Sequence, residues 1–293
     1  MEGEAVAQQG KRVAVVTGAS SGIGKEAAKA LAAEGYRVIA HGRNAQRSAA
    51  ALAEIRAVGG EDAVMLVADL SLLAEAARLA GEIAALTDRV DLLLNNAGGM
   101  ASELVLTAEG NDANFAGNHL GPWLLTERLL PLLRRAAQDA PAGSVRIVNT
   151  SSDASEMIPG LDLDDLQKLS AWTPGYAYCG SKLANVLHAR SLAGRLAGDG
   201  IVAHSMHPGT VDSNFFEHVG AETKAYTDTL TKMSEAEGAD TLIWLATADE
   251  PGQSSGHYWY QRALRTPNPL IDDAAYIERL MQATEAEVAR TLA

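Results

Sequence analysis

The chain has 293 residues, 47% of them hydrophobic, enough to bury the core of one large α/β domain or of two small ones. Its 24 basic and 37 acidic side chains leave a net charge of −13, which opposes nucleic acid and anionic lipid as partners and favours solubility. A single cysteine, Cys179, excludes an intramolecular disulfide and a cysteine-based zinc site and is compatible with a cytoplasmic location.

Residues 1–10 read as a polar, flexible N-terminus without a signal pattern, and no stretch approaches the roughly 18 apolar residues of a membrane span. Val13–Val16 is a short apolar run with β-branched residues, the pattern of a strand buried on both faces. Thr17-Gly18-Ala19-Ser20-Ser21-Gly22-Ile23-Gly24 follows and opens into a helical pattern through Ala27, Ala28, Leu31 and Ala32. A glycine-rich turn between a buried strand and a helix N-terminus presents backbone N–H groups to an anion. Arg37–His41 is a second strand, ending at Gly42-Arg43-Asn44, and a helix over Gln46–Val58 stops at Gly59-Gly60. Val64–Ala68 is a third strand, closed by Asp69-Leu70, and Leu72–Leu86 is a helix. Val90–Leu94 is a fourth strand, leading to Asn95-Asn96-Ala97-Gly98-Gly99.

This alternation predicts a single-domain, Rossmann-type, doubly wound parallel sheet of about seven strands with helices on both faces, over residues 11–293. In such a sheet the ligand lies beyond the strand C-termini, where each of these glycine- or asparagine-rich segments falls. Ala113–Ala137 reads as one long helix, bent near Gly121-Pro122. Val145–Asn149 is a fifth strand, opening into Thr150-Ser151-Ser152 and a long acidic connection from Asp153 to Gly175. A helix carrying Tyr178 runs to about Ala197, and a sixth strand, Ile201–Met206, ends at His207-Pro208-Gly209-Thr210. A loop with Phe215 and Phe216 and helices over about 220–247 lead to Tyr258-Trp259-Tyr260, read as the last strand. Residues 261–293 read as a C-terminal helical extension with an apolar stripe.

Tyr178 and Lys182 stand one helical turn apart. An ammonium beside a phenol favours phenolate and lowers a pKa that starts near 10, toward the range where proton transfer is efficient. Tyr176 has Gly180, not lysine, one turn on, so the spacing selects Tyr178. Gly18-Ala19-Ser20-Ser21-Gly22 also fits Gly-x-Ser-x-Gly, which keeps open a serine hydrolase with Ser20 as nucleophile and Asp69 and His207 as partners. An elbow on the first strand, however, has no earlier β–α loop to supply an oxyanion donor. His204 and His207 lack a third ligand, so no metal site is expected.

The ordered set Thr17-Gly18-x-x-x-Gly22-x-Gly24, Asn95-Asn96-Ala97-Gly98, Asn118, Ser152, Tyr178-x-x-x-Lys182 and Pro208-Gly209 resembles the short-chain dehydrogenase/reductase family, from about Val13 to Val211. Asn118-His119-Leu120-Gly121, the long Ser152-to-Tyr178 loop, the run from Tyr178 to Asn185 and His207-Pro208-Gly209-Thr210-Val211 look like its retinol dehydrogenase-like branch. Pro122 departs from the family pattern, as does the lack of a basic residue at 19–21. The resemblance implies a tetrad. Tyr178 would be the general acid or base, Lys182 would tune it and hold the nicotinamide ribose, Ser152 would bind the substrate oxygen, and Asn118 would anchor a water. Ser151 competes with Ser152, because strand alternation puts one of them in the pocket. A dinucleotide would lie along Gly18, Ser20, Ser21, Gly22, Ile23, Gly24, Arg43, Asn44, Asp69, Leu70, Asn95, Ala97, Gly98, Tyr178, Lys182, Pro208, Gly209 and Val211. No acid occurs between Gly35 and Ala53, and Arg43 is placed for a 2′-phosphate, so NADP(H) is expected over NAD(H). The substrate would be a carbonyl or alcohol of an apolar small molecule. The assembly could equally be a homodimer or a homotetramer, and a nicotinamide-binding sensor or scaffold with little catalysis is the other alternative.

Overall fold

The computed structural model describes residues 10–213, 220, 224–225 and 228–293; Phe215, Phe216 and the start of the 220–247 segment fall outside these, as do residues 1–9. Eight strands form one sheet: β1 Val13–Val16, β2 Arg37–Gly42, β3 Val64–Val67, β4 Leu92–Asn95, β5 Arg146–Thr150, β6 Val202–Met206, β7 Tyr258–Tyr260 and β8 Ala263–Leu264. Their order is β3-β2-β1-β4-β5-β6-β7-β8, so the chain reverses direction across the sheet between β1 and β4. That reversal is the crevice where doubly wound sheets bind ligands.

Period-2 alternation distributes each strand between two cores. Val13, Val15 and Leu93 face one side, with Leu79, Leu125, Leu183 and Leu280. Ala14, Val16, Leu92 and Leu94 face the other, with Leu31, Ile55 and Leu242. The first side is covered by α3 Leu73–Leu86, α5 Gly121–Gln138, α6 Pro174–Arg195 and α8 Ala274–Leu292. The second is covered by α1 Gly22–Ala33, α2 Ala45–Ala57 and α7 Glu235–Thr247. Continuous apolar strands are what burial on both faces requires.

The doubly wound architecture expected from the sequence is present, with β1 to β7 parallel and one strand more than anticipated. β8 pairs antiparallel with β7. Its two-residue turn, Gln261-Arg262, has φ of 49° and 60°, the positive pair a tight hairpin needs without the Asn-Gly that usually signals it. The conformation is held from outside, since Arg262 N donates to Thr241 Oγ1 at 3.2 Å and its guanidinium pairs with Asp240. The C-terminal extension is therefore helical only after this hairpin. Among the described residues no helix is long and apolar enough to cross a membrane.

Candidate active site

The turn from β1 into α1 is closed by glycines and opened toward the crevice. Gly18 has φ +69°, and a Cβ there would lie 2.8 Å from the Ala97 Cα. A Cβ on Gly24 would run into the Gly18 carbonyl, 2.8 Å from its carbon. Thr17 Oγ1 ties this turn to the end of β4, donating to Leu94 O at 3.2 Å and accepting from Asn96 N and Ala97 N at 3.0 Å. His41 Nε2 donates to Ala68 O at 2.9 Å, which leaves Nδ1 to accept from Gly18 N at 3.4 Å; burial lowers its pKa and keeps it neutral. At the start of α1, Ser21 makes no side-chain cap and no acid occupies the first turn. The N–H groups of the Ser20–Gly24 segment have no backbone acceptor among the described residues and stand at the positive end of the helix dipole, a cradle suited to a pyrophosphate.

The neighbouring strand ends complete the rim. A Cβ on Gly42 would strike the Ser48 Oγ and come within 2.7 Å of the Ser20 Cβ, so β2 ends packed against the turn, with Arg43 exposed beyond it. Asn44 caps α2 by accepting from Arg47 N at 2.9 Å. Asp69 accepts from Ser71 N at 3.0 Å and Ser71 Oγ at 2.8 Å, while Leu70 is buried. Asn95 turns inward and donates to Thr126 Oγ1 at 2.8 Å and Asn149 Oδ1 at 3.0 Å, so its side chain ties the interior together. Ala97 and Gly98 line the mouth; a Cβ on Gly98 would lie 3.0 Å from Asn118 Oδ1 and 3.1 Å from Lys182 Nζ. After β6 come Pro208 and Gly209, the latter with φ +87°, and then Val211, buried against Ile23 through Gly238. The residues present fit a dinucleotide.

The long helix of the sequence reading divides into α4 Ala113–Phe115, a π-helix Ala116–Leu120 and α5. Pro122 supplies the reason. It has no N–H for the carbonyl of Asn118, and Asn185 Nδ2 donates to that carbonyl instead, at 3.0 Å. The wider turn presents the Asn118 side chain, which donates to Gly99 O at 2.9 Å, Asn114 Oδ1 at 2.7 Å and Ser181 Oγ at 3.1 Å. His119, one residue on, points the opposite way to Thr284 Oγ1 at 3.0 Å, with burial lowering its pKa to about 4. The sequence reading had Asn185 only as the end of the family-like run after Tyr178 and Thr284 only as part of the C-terminal stripe; these contacts could not be read from it, because the partners lie far off in sequence.

Strand alternation separates the two serines. Ser151 Oγ donates to Lys182 O at 2.7 Å, away from the crevice. Ser152 caps a 3₁₀ turn, Asp153–Glu156: its hydroxyl donates to Asp153 Oδ1 at 3.0 Å and accepts from Ala154 N at 3.2 Å, and it lies close enough to the Tyr178 phenol to favour phenolate. Lys182 Nζ lies 5.6 Å from the Tyr178 ring centre and donates to Thr150 O at 3.3 Å. The four tetrad residues are brought to the same strand ends. Burial, the largest effect, pushes the Tyr178 pKa up, and the Ser152 hydrogen bond opposes it. Burial also brings Lys182 down to about 8. The direction for Tyr178 is opposite to the one expected from a lysine neighbour, since a dry pocket penalises phenolate and ammonium alike. Tyr178 is therefore a protonated donor at neutral pH.

A hydrolase triad is not assembled around Ser20. Asp69 is committed to Ser71, and His207 Nδ1 accepts from Asp153 N at 3.2 Å while its ring packs at a tilt on Tyr260.

A model of the short chain dehydrogenase family matches residues 12–224. Human retinol dehydrogenase 12 is 38% identical over 272 residues, covering 92% of this chain and 84% of that protein. Mouse polyprenol dehydrogenase is 36% identical over 275 residues, covering 92% and 81%. Among solved structures, an active-site complex of Pseudomonas aeruginosa RhlG with NADP superimposes with a TM-score of 0.68 at 27% identity, covering 90% of this chain and 98% of that one. The chain belongs to the short-chain dehydrogenase/reductase family of oxidoreductases, on its retinol dehydrogenase-like branch.

Proposed function

We propose that the chain is an NADP(H)-dependent oxidoreductase acting on a carbonyl or secondary alcohol of an apolar small molecule, with Tyr178 as general acid and base. The observation that carries this reading is the convergence of Ser152, Tyr178 and Lys182 at the strand ends, with Lys182 Nζ 5.6 Å from the Tyr178 ring centre and one helical turn on. Bound nicotinamide supplies or accepts the hydride. The protein's own part is to position and polarise. Negative charge develops on the substrate oxygen during reduction, and Tyr178 and Ser152 offer it two donors. Tyr178 gives up its proton there, and the Lys182 ammonium compensates the phenolate left behind. The N–H groups around Ser21, Gly22 and Ile23 would hold the pyrophosphate, and Gly98 and Lys182 would flank the nicotinamide ribose. Retinol and polyprenol, named in two relatives, are apolar primary alcohols whose oxidised forms are aldehydes, which suits the apolar carbonyl side of this substrate class. A buried, free Cys179 suits a cytoplasmic location, which is part of the proposal. An NADPH-consumption screen across ketones, aldehydes and quinones tests the reading; oxidation of NADPH by none of them, with wild-type protein that binds the cofactor, refutes it.

Cofactor choice rests on Arg43, exposed at the end of β2 beside the glycine turn. A guanidinium grips a phosphate with two parallel hydrogen bonds and can stack on adenine. Arg43→Ala is expected to weaken NADPH binding by roughly ten- to a hundredfold and NADH little, and Arg43→Asp to invert the preference. Calorimetric titration decides it, and equal wild-type affinities for NADH and NADPH remove the role given to Arg43.

The pH dependence follows from Lys182. With its pKa lowered to about 8, the ammonium is present below that pH and lost above it. Tyr178, shifted upward, stays mostly protonated, with a small phenolate fraction that grows as pH rises. Reductive kcat/KM is expected to be flat near neutrality and to fall above about pH 8, while oxidation, which needs phenolate, rises with pH. Rates in both directions from about pH 6 to 10 check this, and an inflection that persists in Lys182→Met belongs to another group.

A further inference from the structure

The segment from Ser152 to the catalytic helix is long for a connection, and it is anchored by residues outside itself. Tyr276, on the C-terminal helix α8, accepts from Leu161 N at 2.6 Å and donates to Leu161 O at 3.0 Å. Tyr176, in the first turn of α6, accepts from Asp162 N at 3.0 Å. Two phenols from two helices thus grip consecutive loop residues. Gly160 makes room for this, since a Cβ there would lie 3.1 Å from the Tyr276 Oη. Burial raises the pKa of both phenols, so both keep their protons at neutral pH. A third hold comes from Asn268, whose Nδ2 donates to Ile158 O at 2.7 Å.

The gripped residues pack on the helix that carries the reacting groups. Leu161 is buried, and a Cβ on Gly180 would lie 2.7 Å from its Cδ2. Gly180 lies between Tyr178 and Lys182 on α6. Ile158, Leu161 and Leu163 give the loop an apolar, inward-turned side. The other end of the loop is Ser152, beside the Tyr178 phenol. A loop that follows a strand C-terminus and starts at such a serine walls the substrate side of the crevice.

We propose that Tyr276 and Tyr176 form a clamp on Leu161 and Asp162 that fixes this wall and sets the preference for long over short apolar substrates. The proposal rests on the carbonyl-reductase reading above. Both tyrosines are positioning residues, acting through the loop and not on the reacting atoms. Without the clamp the wall is no longer preformed. A long chain must then order it on binding, while a short substrate that barely reaches it is indifferent.

The test compares Tyr276→Phe and Tyr176→Phe with wild type, using NADPH and two probes, propanal and decanal. Amide hydrogen exchange at Leu161 and Asp162 is followed in parallel. Each variant removes only a hydroxyl, and a melting curve establishes that it is folded. In Tyr276→Phe, exchange at Leu161 is expected to speed up by about tenfold or more. The decanal-to-propanal ratio of kcat/KM is expected to fall about tenfold through KM, with NADPH affinity and propanal kcat within about twofold of wild type. Tyr176→Phe should do the same at Asp162 to a smaller extent, having lost one hydrogen bond in place of two. A merely structural role would lower the melting temperature and leave the ratio alone. An unchanged ratio in both variants, or unchanged exchange at both amides, overturns the clamp. A wild-type protein inert to both aldehydes overturns the carbonyl reading itself, and the proposal with it.

Discussion

Tyr178→Phe is expected to lower kcat/KM for carbonyl reduction by about 10³-fold or more while NADPH binds within about twofold of wild type. In the proposed mechanism the phenol is the proton donor, and phenylalanine keeps the ring that packs in the pocket. Ser152 keeps its place as cap of the Asp153–Glu156 turn through Ala154 N, which donates to its Oγ at 3.2 Å. The step expected to be lost is therefore protonation of the developing alkoxide, which neither neighbouring hydroxyl is placed to replace. Ser151 cannot, because its hydroxyl is spent on Lys182 O. Tyr176 cannot either, because its phenol is turned to the backbone of Asp162. Single-turnover reduction with pre-bound NADPH separates the two roles. Full activity in Tyr178→Phe, or a collapse of NADPH binding that accounts for the whole loss, removes Tyr178 from the chemistry.

The parts of this site that were legible in the sequence are those whose cause is local. Val13–Val16 is apolar without interruption because it is buried on both faces, and the structure bounds β1 at the same residues. The glycines at 18, 22 and 24 are needed by a turn that touches itself and the end of β4. Tyr178 and Lys182 share a helix, so their spacing could be read directly. Ser152 and Asn118 were singled out through family likeness, and the structure gives the physical reasons for where their side chains lie: strand alternation for one, a π turn for the other.

What escaped the sequence depends on partners distant along the chain. The π turn arises where Pro122 frees a carbonyl that Asn185, from another helix, then satisfies. Proline at this position reads equally well as a bend, and the sequence analysis took it so. The β8 hairpin was missed because Gln261 and Arg262 adopt positive φ under the hold of Thr241 and Asp240, with no glycine to announce it. The sign of the Tyr178 shift was missed for a related reason. A lysine four residues on is visible in sequence, whereas the burial that outweighs it belongs to the assembled crevice.

A pair of glycine substitutions in helices separates this crowding from ordinary helix propensity. Gly24→Ala, in α1, is expected to destabilise the protein by about 1–3 kcal/mol and to weaken NADPH binding by about tenfold or more. The added methyl has no strain of its own, because the backbone there is helical. Its neighbours are the obstacle: the Gly18 carbonyl and, at 2.5 Å, the Asn96 Nδ2 that holds Thr17 O. Neither is the free end of a flexible side chain, so the turn must move, and it is the turn that would cradle the pyrophosphate. Gly81→Ala, in α3, is the opposite case. A Cβ there meets nothing within 4 Å, and the position is exposed. Alanine relieves the unfolded-chain entropy that glycine carries, so this variant should gain about 0.5–1 kcal/mol and bind NADPH as wild type does. Thermal melts with and without NADPH read both effects. Equal shifts of the two variants, in either direction, mean that helix propensity alone governs Gly24 and that the contact with Gly18 does not constrain the turn.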